Sequence, residues 1–233
     1  MRQVFLDTET TGLSPDNGDR IIEIGCVELL NRKLTGNNLH FYLNPERESH
    51  EDALKVHGIS NEFLKDKPKF GEITSQLLEY LQGADVLIHN APFDVGFLNK
   101  ELELQKLQPI KTYVNSISDT LAMAKDLFPG KRNSLDALCD RLGVDNSGRT
   151  LHGALLDAEL LADVYIYMTR GQDALLIEVD DTSDNQKRAD AIDIRSLKLA
   201  IIHASEHELS AHEEVLTQID KASGGQTVWR SVV

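Results

Sequence analysis

The chain is short of positive charge: 24 lysines and arginines stand against 38 acids, a formal net charge of −14. Nucleic-acid binders usually carry a basic footprint, so strong unaided attraction to a phosphate backbone is excluded. Metal ions at a local site, or a second protein that delivers the substrate, would have to supply the missing charge. Long apolar runs are also lacking. No stretch of about 18 uncharged apolar residues exists, so nothing reads as a membrane span. "MRQVFLDTE" enters a strand at once, with no room for a secretory signal, and the cytoplasm is the expected compartment. Cysteine is scarce: Cys26 and Cys139 lie far apart in apolar contexts and read as buried free thiols, not a disulfide. Internal repeats are absent. What remains is 233 residues of ordinary apolar content, enough for one full-sized domain plus an appendage.

The first 170 residues read as one α/β unit. "QVFLD", "RIIEIGCVEL" and "NLHFYLN" are strand-like runs separated by short polar segments, which suggests an antiparallel meander. "FGEITSQLLEYLQG" carries Phe70, Ile73, Leu77 and Leu81 on one helical face and stops at Gly83. "ADVLIH" is a short buried strand, and "APFDVGFLNKELELQ" opens a helix with Pro92 in its first turn. "SDTLAMAKDLF" and "NSLDALCDRLG" are further helices, the second capped by Asn133 or Ser134 and closed by Gly143. "GALLDAELLADVYIYMTR" reads as a long amphipathic helix. The expected architecture is a mixed sheet with helices on its faces.

Residues two apart on a strand point to the same side, so Asp7 and Glu9 face together at the carboxyl end of the first strand, where α/β sheets keep their sites. Carboxylates this close resist ionising together unless a cation sits between them. Alone, "DTE" reads more readily as two exposed strand-end acids. Two further acids repeat the placement. Asp94 lies in the first turn of a helix that follows an apolar strand, flanked by Phe93 and Phe97; Asp157 is set among Leu155, Leu156, Leu160 and Leu161. Asp163, more than a turn further on, reads as solvated. Hard oxygen donors without clustered histidine or cysteine select Mg²⁺ or Mn²⁺ over zinc. Two such ions roughly 4 Å apart suit an in-line phosphoryl displacement. His152, in the segment entering the last helix, has the ordinary pKa of a general base near neutrality.

Together "FLDTETTG", "HNAPFDVGF" and "HGALLDAELLADVY" resemble the three exonuclease motifs of the DEDD superfamily, in the subgroup whose third motif carries histidine. The likeness continues through "RIIEIGCVEL", "FPGKRNSLDALCDRLGVDNSGRTLHGALLDA" and a tail ending "GGQTVWR". Over nearly the whole chain it is similar to the proofreading (epsilon) subunits of bacterial DNA polymerase III. The resemblance implies an RNase H-like fold and a 3′→5′ exonuclease that releases 5′-mononucleotides from a DNA 3′ end. It implies Asp7, Glu9, Asp94 and Asp157 as ligands of two Mg²⁺ or Mn²⁺ ions and His152 as the base. Substrate would also touch Asp7, Glu9 and Asp157, together with His57 and Asp52 in "EDALKVHGIS", read as a loop that lines the terminal nucleotide in that family. Relatives often carry glutamate where this chain has the shorter Asp52.

Composition then shifts. "EVDDTSDNQKRAD" has four acids before any base and almost no apolar residue, so 171–190 reads as a flexible linker. Gln172, Leu175 and Ile177 at its start are spaced like a sliding-clamp-binding motif, although such motifs usually finish with an aromatic. In 191–233, "IDIRSLKLAIIHA" suggests a strand and "SEHELSAHEEVLTQIDKASGG" a helix with a Ser205–Glu208 capping box and a glycine stop. Roughly 40 residues cannot bury a stable core, so this tail should order itself on a partner. The resemblance implies the polymerase catalytic (alpha) subunit, with Trp229 as an anchor, and a small theta-like subunit on the nuclease domain. Lys131, Arg132 and Arg149 are candidates for phosphate contact or for a salt-bridged surface. Two other readings stay open: an RNA-trimming relative with the same motifs, and a catalytically silent tether within a polymerase complex.

Overall fold

A run of strand-forming residues from the very start of the chain builds the centre of the sheet. In a computed structural model that describes residues 1–149, 151–170 and 204–224, β1 (Arg2–Thr10) lies between β2 (Ile21–Leu30) and β5 (Asp85–Ile88), antiparallel to the first and parallel to the second. Beyond β2 come the two-residue β3 (Lys33–Leu34) and β4 (Leu39–Tyr42), both antiparallel to it. β6 (Ser116–Asp119) adds in parallel outside β5, which completes a six-stranded mixed sheet. The meander expected from the first three apolar runs is present as β1, β2 and β4. β6 was not legible in the sequence, because its four residues are polar apart from Ile117 and only half-buried at the sheet edge.

Alternation along β1 divides the core in two. Val4 and Leu6 pack with Phe70, Leu77 and Leu81 of α3 (Phe70–Leu81) and with Phe97, Leu98 and Leu102 of α4 (Ala91–Leu104). Phe5 points the other way, into a cluster with Ala124 of α5 (Thr120–Leu127), Leu138 and Cys139 of α6 (Leu135–Leu142), and Leu161 and Val164 of α7 (Ala154–Met168). Burying whole apolar side chains on both faces, at roughly 1.5–3 kcal/mol each, is what commits the chain to this sandwich. Cys26 and Cys139 are buried and unpaired, as expected.

Several local expectations need correction. "EDALKVHGIS" is not a loop but a helix, α1 (Glu51–His57), closed by Gly58 in a left-handed conformation at φ +69° and followed by the single turn α2 (Asn61–Leu64). Of the two cap candidates for α6, Ser134 is the one in place, its hydroxyl accepting from the Ala137 amide. α7 is not amphipathic. Only Glu159 and Tyr167 along it are exposed, because the helix lies between the sheet and α5 and α6. For the same reason Asp163 is half-buried, and burial raises its carboxyl.

Residues 1–178 and 179–233 form two compact units. The described part of the second is α8 (Glu206–Ser223), which carries the expected capping box: the Glu208 amide donates to the Ser205 hydroxyl while the Ser205 amide donates to the Glu208 carboxylate, and Gly224 ends the helix. Residues 192–203 of the expected strand, the linker, the Gln172, Leu175 and Ile177 motif and Trp229 lie outside the described residues. Among the described residues, no helix is long and apolar enough to cross a membrane.

Candidate active site

Asp7 and Glu9 follow Phe5 on the alternating pattern of β1, so they face the side of the sheet on which α7 packs. Thr8 points to the opposite face and donates from its hydroxyl to Asp94 Oδ1 at 2.7 Å. Asp94 occupies the first turn of α4, which the chain enters through Asn90 at φ +69°. An ion pair holds that helix to the sheet: Arg20 forks onto Glu101 with two 2.7 Å contacts, and Glu101 is almost wholly buried. One end of the sheet therefore collects acids from both of its faces.

The fourth acid arrives on α7, whose first turn is fastened to β2 from across the site. Glu23 is buried opposite Glu9 in the β1–β2 register, and its Oε2 accepts from the Ala154 amide at 3.1 Å. Its Oε1 meets His40 Nε2 at 2.7 Å. Gly153, the residue before α7, has no side chain to cap the helix, and Glu23 takes over that role from 131 residues away. Gly25, paired with Asp7, lets the α7 backbone pass directly over β2. Neither Glu23 nor Gly25 was singled out in the sequence. A charge inside the otherwise apolar "RIIEIG" was the available signal.

The result is a tight group. Donor atoms of Glu9, His152 and Asp157 all lie within 4.8 Å of one another. Burial, then the neighbouring charges of Asp94, Asp157 and Glu9, holds the Asp7 carboxyl well above the usual range. Burial together with Asp157 and Glu23 pushes Glu9 up to about 8, and burial raises Asp94 to about 7 against the opposing hydrogen bond from Thr8. Asp157 is the exception. Burial would raise it too, but the forked Arg149 guanidinium holds it below the ordinary value, and His152 stands 3.3 Å away. Crowded carboxylates that keep protons near neutrality form a donor set completed by a cation, and its oxygens are the hard ligands a small divalent ion prefers. The residues fit such an ion.

The acids open onto a cleft of about 1100 Å³, which also reaches Leu13, His57, Phe93, Lys131 and Asn133. His57 is buried; its Nδ1 accepts from the Ile59 amide at 2.9 Å, and its Nε2 has no partner. Asp52 stands at the same cleft but is fully exposed and pairs with Lys55 at 2.9 Å. Of the three basic residues noted in the sequence, Lys131 lines the cleft, the Arg132 carbonyl accepts from Arg141, and Arg149 sits inside the acid cluster. His152 is half-exposed, and its backbone amide donates to Val56 in α1.

The RNase T exonuclease family model matches residues 4–165. The DNA polymerase III epsilon subunit of Haemophilus influenzae is 49% identical over 242 aligned residues, covering 98% of this chain and 94% of the relative. That of Escherichia coli K12 is 47% identical, covering 99% and 98%. This chain belongs to the DNA polymerase III epsilon family. Like its family it is a 3′→5′ exonuclease that proofreads for the replicative polymerase, and the family depends on a divalent metal. The RNase H-like fold has a solved counterpart in the nuclease domain of 3′hExo, a DEDDh family member bound to rAMP, with a TM-score of 0.63 at 20% identity over 74% of this chain and 92% of that one.

Proposed function

We propose that Asp7, Glu9, Asp94 and Asp157 hold two Mg²⁺ or Mn²⁺ ions and that His152 is the general base for hydrolysis of the 3′-terminal phosphodiester. The ions, when bound, neutralise charge that develops on the attacking and leaving oxygens. The chain's own residues do the rest. His152 stands beside Asp157 on a half-exposed loop, where an imidazole can take a proton from attacking water and return it to solvent. His57 lines the cleft and carries a buried, unpartnered Nε2–H, the donor that this reading assigns to an oxygen of the terminal nucleotide. Asp52 contacts substrate only after leaving Lys55. The observation that carries this reading is the convergence of four acids from β1, α4 and α7, three of them raised by burial and, at Asp7 and Glu9, by the charges of the neighbouring acids as well.

Selection of errors follows from the cost of unpairing. A mismatched terminus frays more cheaply than a matched one, so a cleft that accepts only a single-stranded end needs no base-specific contact. In this reading residues 1–170 are the nuclease, 171–190 a linker, and 191–233 the segment that docks on the polymerase alpha subunit. The tether raises the effective concentration of a net-negative enzyme at the primer end. A theta-like subunit on the nuclease domain, a clamp contact through Gln172, Leu175 and Ile177, and a cytoplasmic setting belong to the same reading.

The test is digestion of a 3′-mismatched primer–template, its matched counterpart and a single-stranded RNA, each with Mg²⁺, with Mn²⁺ and with excess EDTA. Release of 5′-mononucleotides, faster from the mismatch and stopped by chelator, is expected. Degradation that continues unabated in EDTA would remove the metal ions, and the four acids with them, from the mechanism; faster trimming of RNA than DNA would replace the substrate.

A further inference from the structure

Among the described residues, Arg149 brings a positive charge into the acid cluster. Its guanidinium forks onto Asp157, with Nε to Oδ1 and Nη2 to Oδ2 both at 2.6 Å. Nη2 also donates to His152 Nδ1 at 2.8 Å, and Nη1 donates to Asp136 on α6 at 2.5 Å. The side chain is only 7% exposed. Both Asp157 oxygens are thus taken by a ligand whose shape and charge match a carboxylate well.

The contact with His152 carries a second consequence. Nδ1 of that ring faces both Asp157, at 3.3 Å, and Arg149, at 2.8 Å. A guanidinium nitrogen can only donate, so in the shorter contact Nδ1 must accept, and the proton of a neutral imidazole then resides on Nε2. One ring nitrogen is occupied by the guanidinium and the other by its own proton. Neither has a lone pair to offer a water molecule.

We infer that Arg149 is an internal competitor of the divalent ion, a built-in cation that occupies Asp157 and His152 together and must leave before either can work. The inference rests on Asp157 being a metal ligand, as proposed above. Of the four acids the guanidinium bonds directly to Asp157, and its single charge offsets the crowding at Asp7 and Glu9 only in part, so a doubly charged ion that all four acids can share displaces it. Displacement still costs affinity: a site available roughly 10% of the time binds its ligand about tenfold more weakly. Arg149 therefore sets the metal concentration at which the nuclease switches on.

The experiment is calorimetric titration of Mn²⁺ into the metal-free full chain, comparing wild type with Arg149→Met, Asp136→Asn and Asp157→Ala. Arg149→Met should bind Mn²⁺ about tenfold more tightly than wild type. Asp136→Asn, which loosens the guanidinium from outside the acid cluster, should move the same way by less, and it carries the test if Arg149→Met does not fold. In ¹H–¹⁵N spectra of the metal-free chain, His152 should hold its proton on Nε2 in wild type and lose that preference in Arg149→Met. Equal or weaker Mn²⁺ binding in the folded arginine or Asp136 variants would overturn the competition, as would an unchanged His152 tautomer. Unaltered Mn²⁺ binding by Asp157→Ala would instead overturn the ligand assignment beneath it.

Discussion

Replacing Gly25 by alanine should impair the nuclease through a residue that touches neither metal nor substrate. A Cβ at Gly25 would lie 2.2 Å from the Leu155 amide nitrogen and 2.3 Å and 2.4 Å from the Ala154 carbonyl carbon and oxygen. Comfortable carbon contacts begin at about 3.5 Å, so β2 and the first turn of α7 must separate by about 1 Å. All three obstructing atoms are backbone, and no side-chain rotation relieves the clash. Asp157 sits two residues beyond Leu155 and moves with that turn, while Asp7, paired with Gly25 itself, stays on the sheet. The separation also stretches the bond from the Ala154 amide to Glu23. Misplacing one reacting group by about 1 Å costs on the order of 10²-fold in rate. Overpacking adds roughly 1–3 kcal/mol of destabilisation, a melting temperature lower by about 2–12 °C in a domain of this size. The assay is the single-turnover rate on a 5′-labelled single-stranded oligonucleotide at saturating Mn²⁺, alongside a thermal melt. A variant that matches wild type in both would refute the claim that the β2–α7 approach sets the position of Asp157.

Three further outcomes are expected. His152→Ala should retain its fold and its Mn²⁺ binding while turnover falls by roughly 10²–10⁴, the usual loss for a general base; near-wild-type turnover would remove His152 from the chemistry. In EDTA, Glu9 at about 8 keeps a proton that the unfolded chain releases near 4.5. The native state then binds more protons between those values, and stability falls as pH rises. Thermal melts should accordingly show wild type losing ground to Glu9→Gln from pH 5 to 8, and saturating Mg²⁺ should erase the difference; a wild type that gains on the variant over that interval would contradict the sign. Deleting residues 191–233 should leave digestion of single-stranded DNA intact and abolish co-purification with the polymerase alpha subunit, whereas persistent co-purification would place the docking surface elsewhere.

The helix α3 and the strands β1, β2 and β5 were legible because their apolar residues recur at local spacings that either period reveals. The capping box at Ser205 and Glu208 was legible for the same reason, since both partners lie within one turn. α1 was missed. Its residues Glu51 to His57 bury only His57, so no apolar face announces it. α7 misled in the opposite direction: its leucines and alanines occupy more than one face because sheet and helices cover it from several sides.

At the site, alternation placed Asp7 and Glu9 together before any fold was known, and the motifs around Asp94, His152 and Asp157 marked the remaining members. That much is written locally, because strand pleat and helix phase fix where a side chain points relative to its neighbours. The cap that Glu23 supplies to Ala154, the space Gly25 leaves for α7 and the seat of Arg149 on Asp157 were decided only by the tertiary structure. The first two join residues about 130 positions apart, and no periodicity carries that distance. The third joins residues eight apart across a turn, where the outcome depends on which unpaired charge the surrounding acids leave within reach.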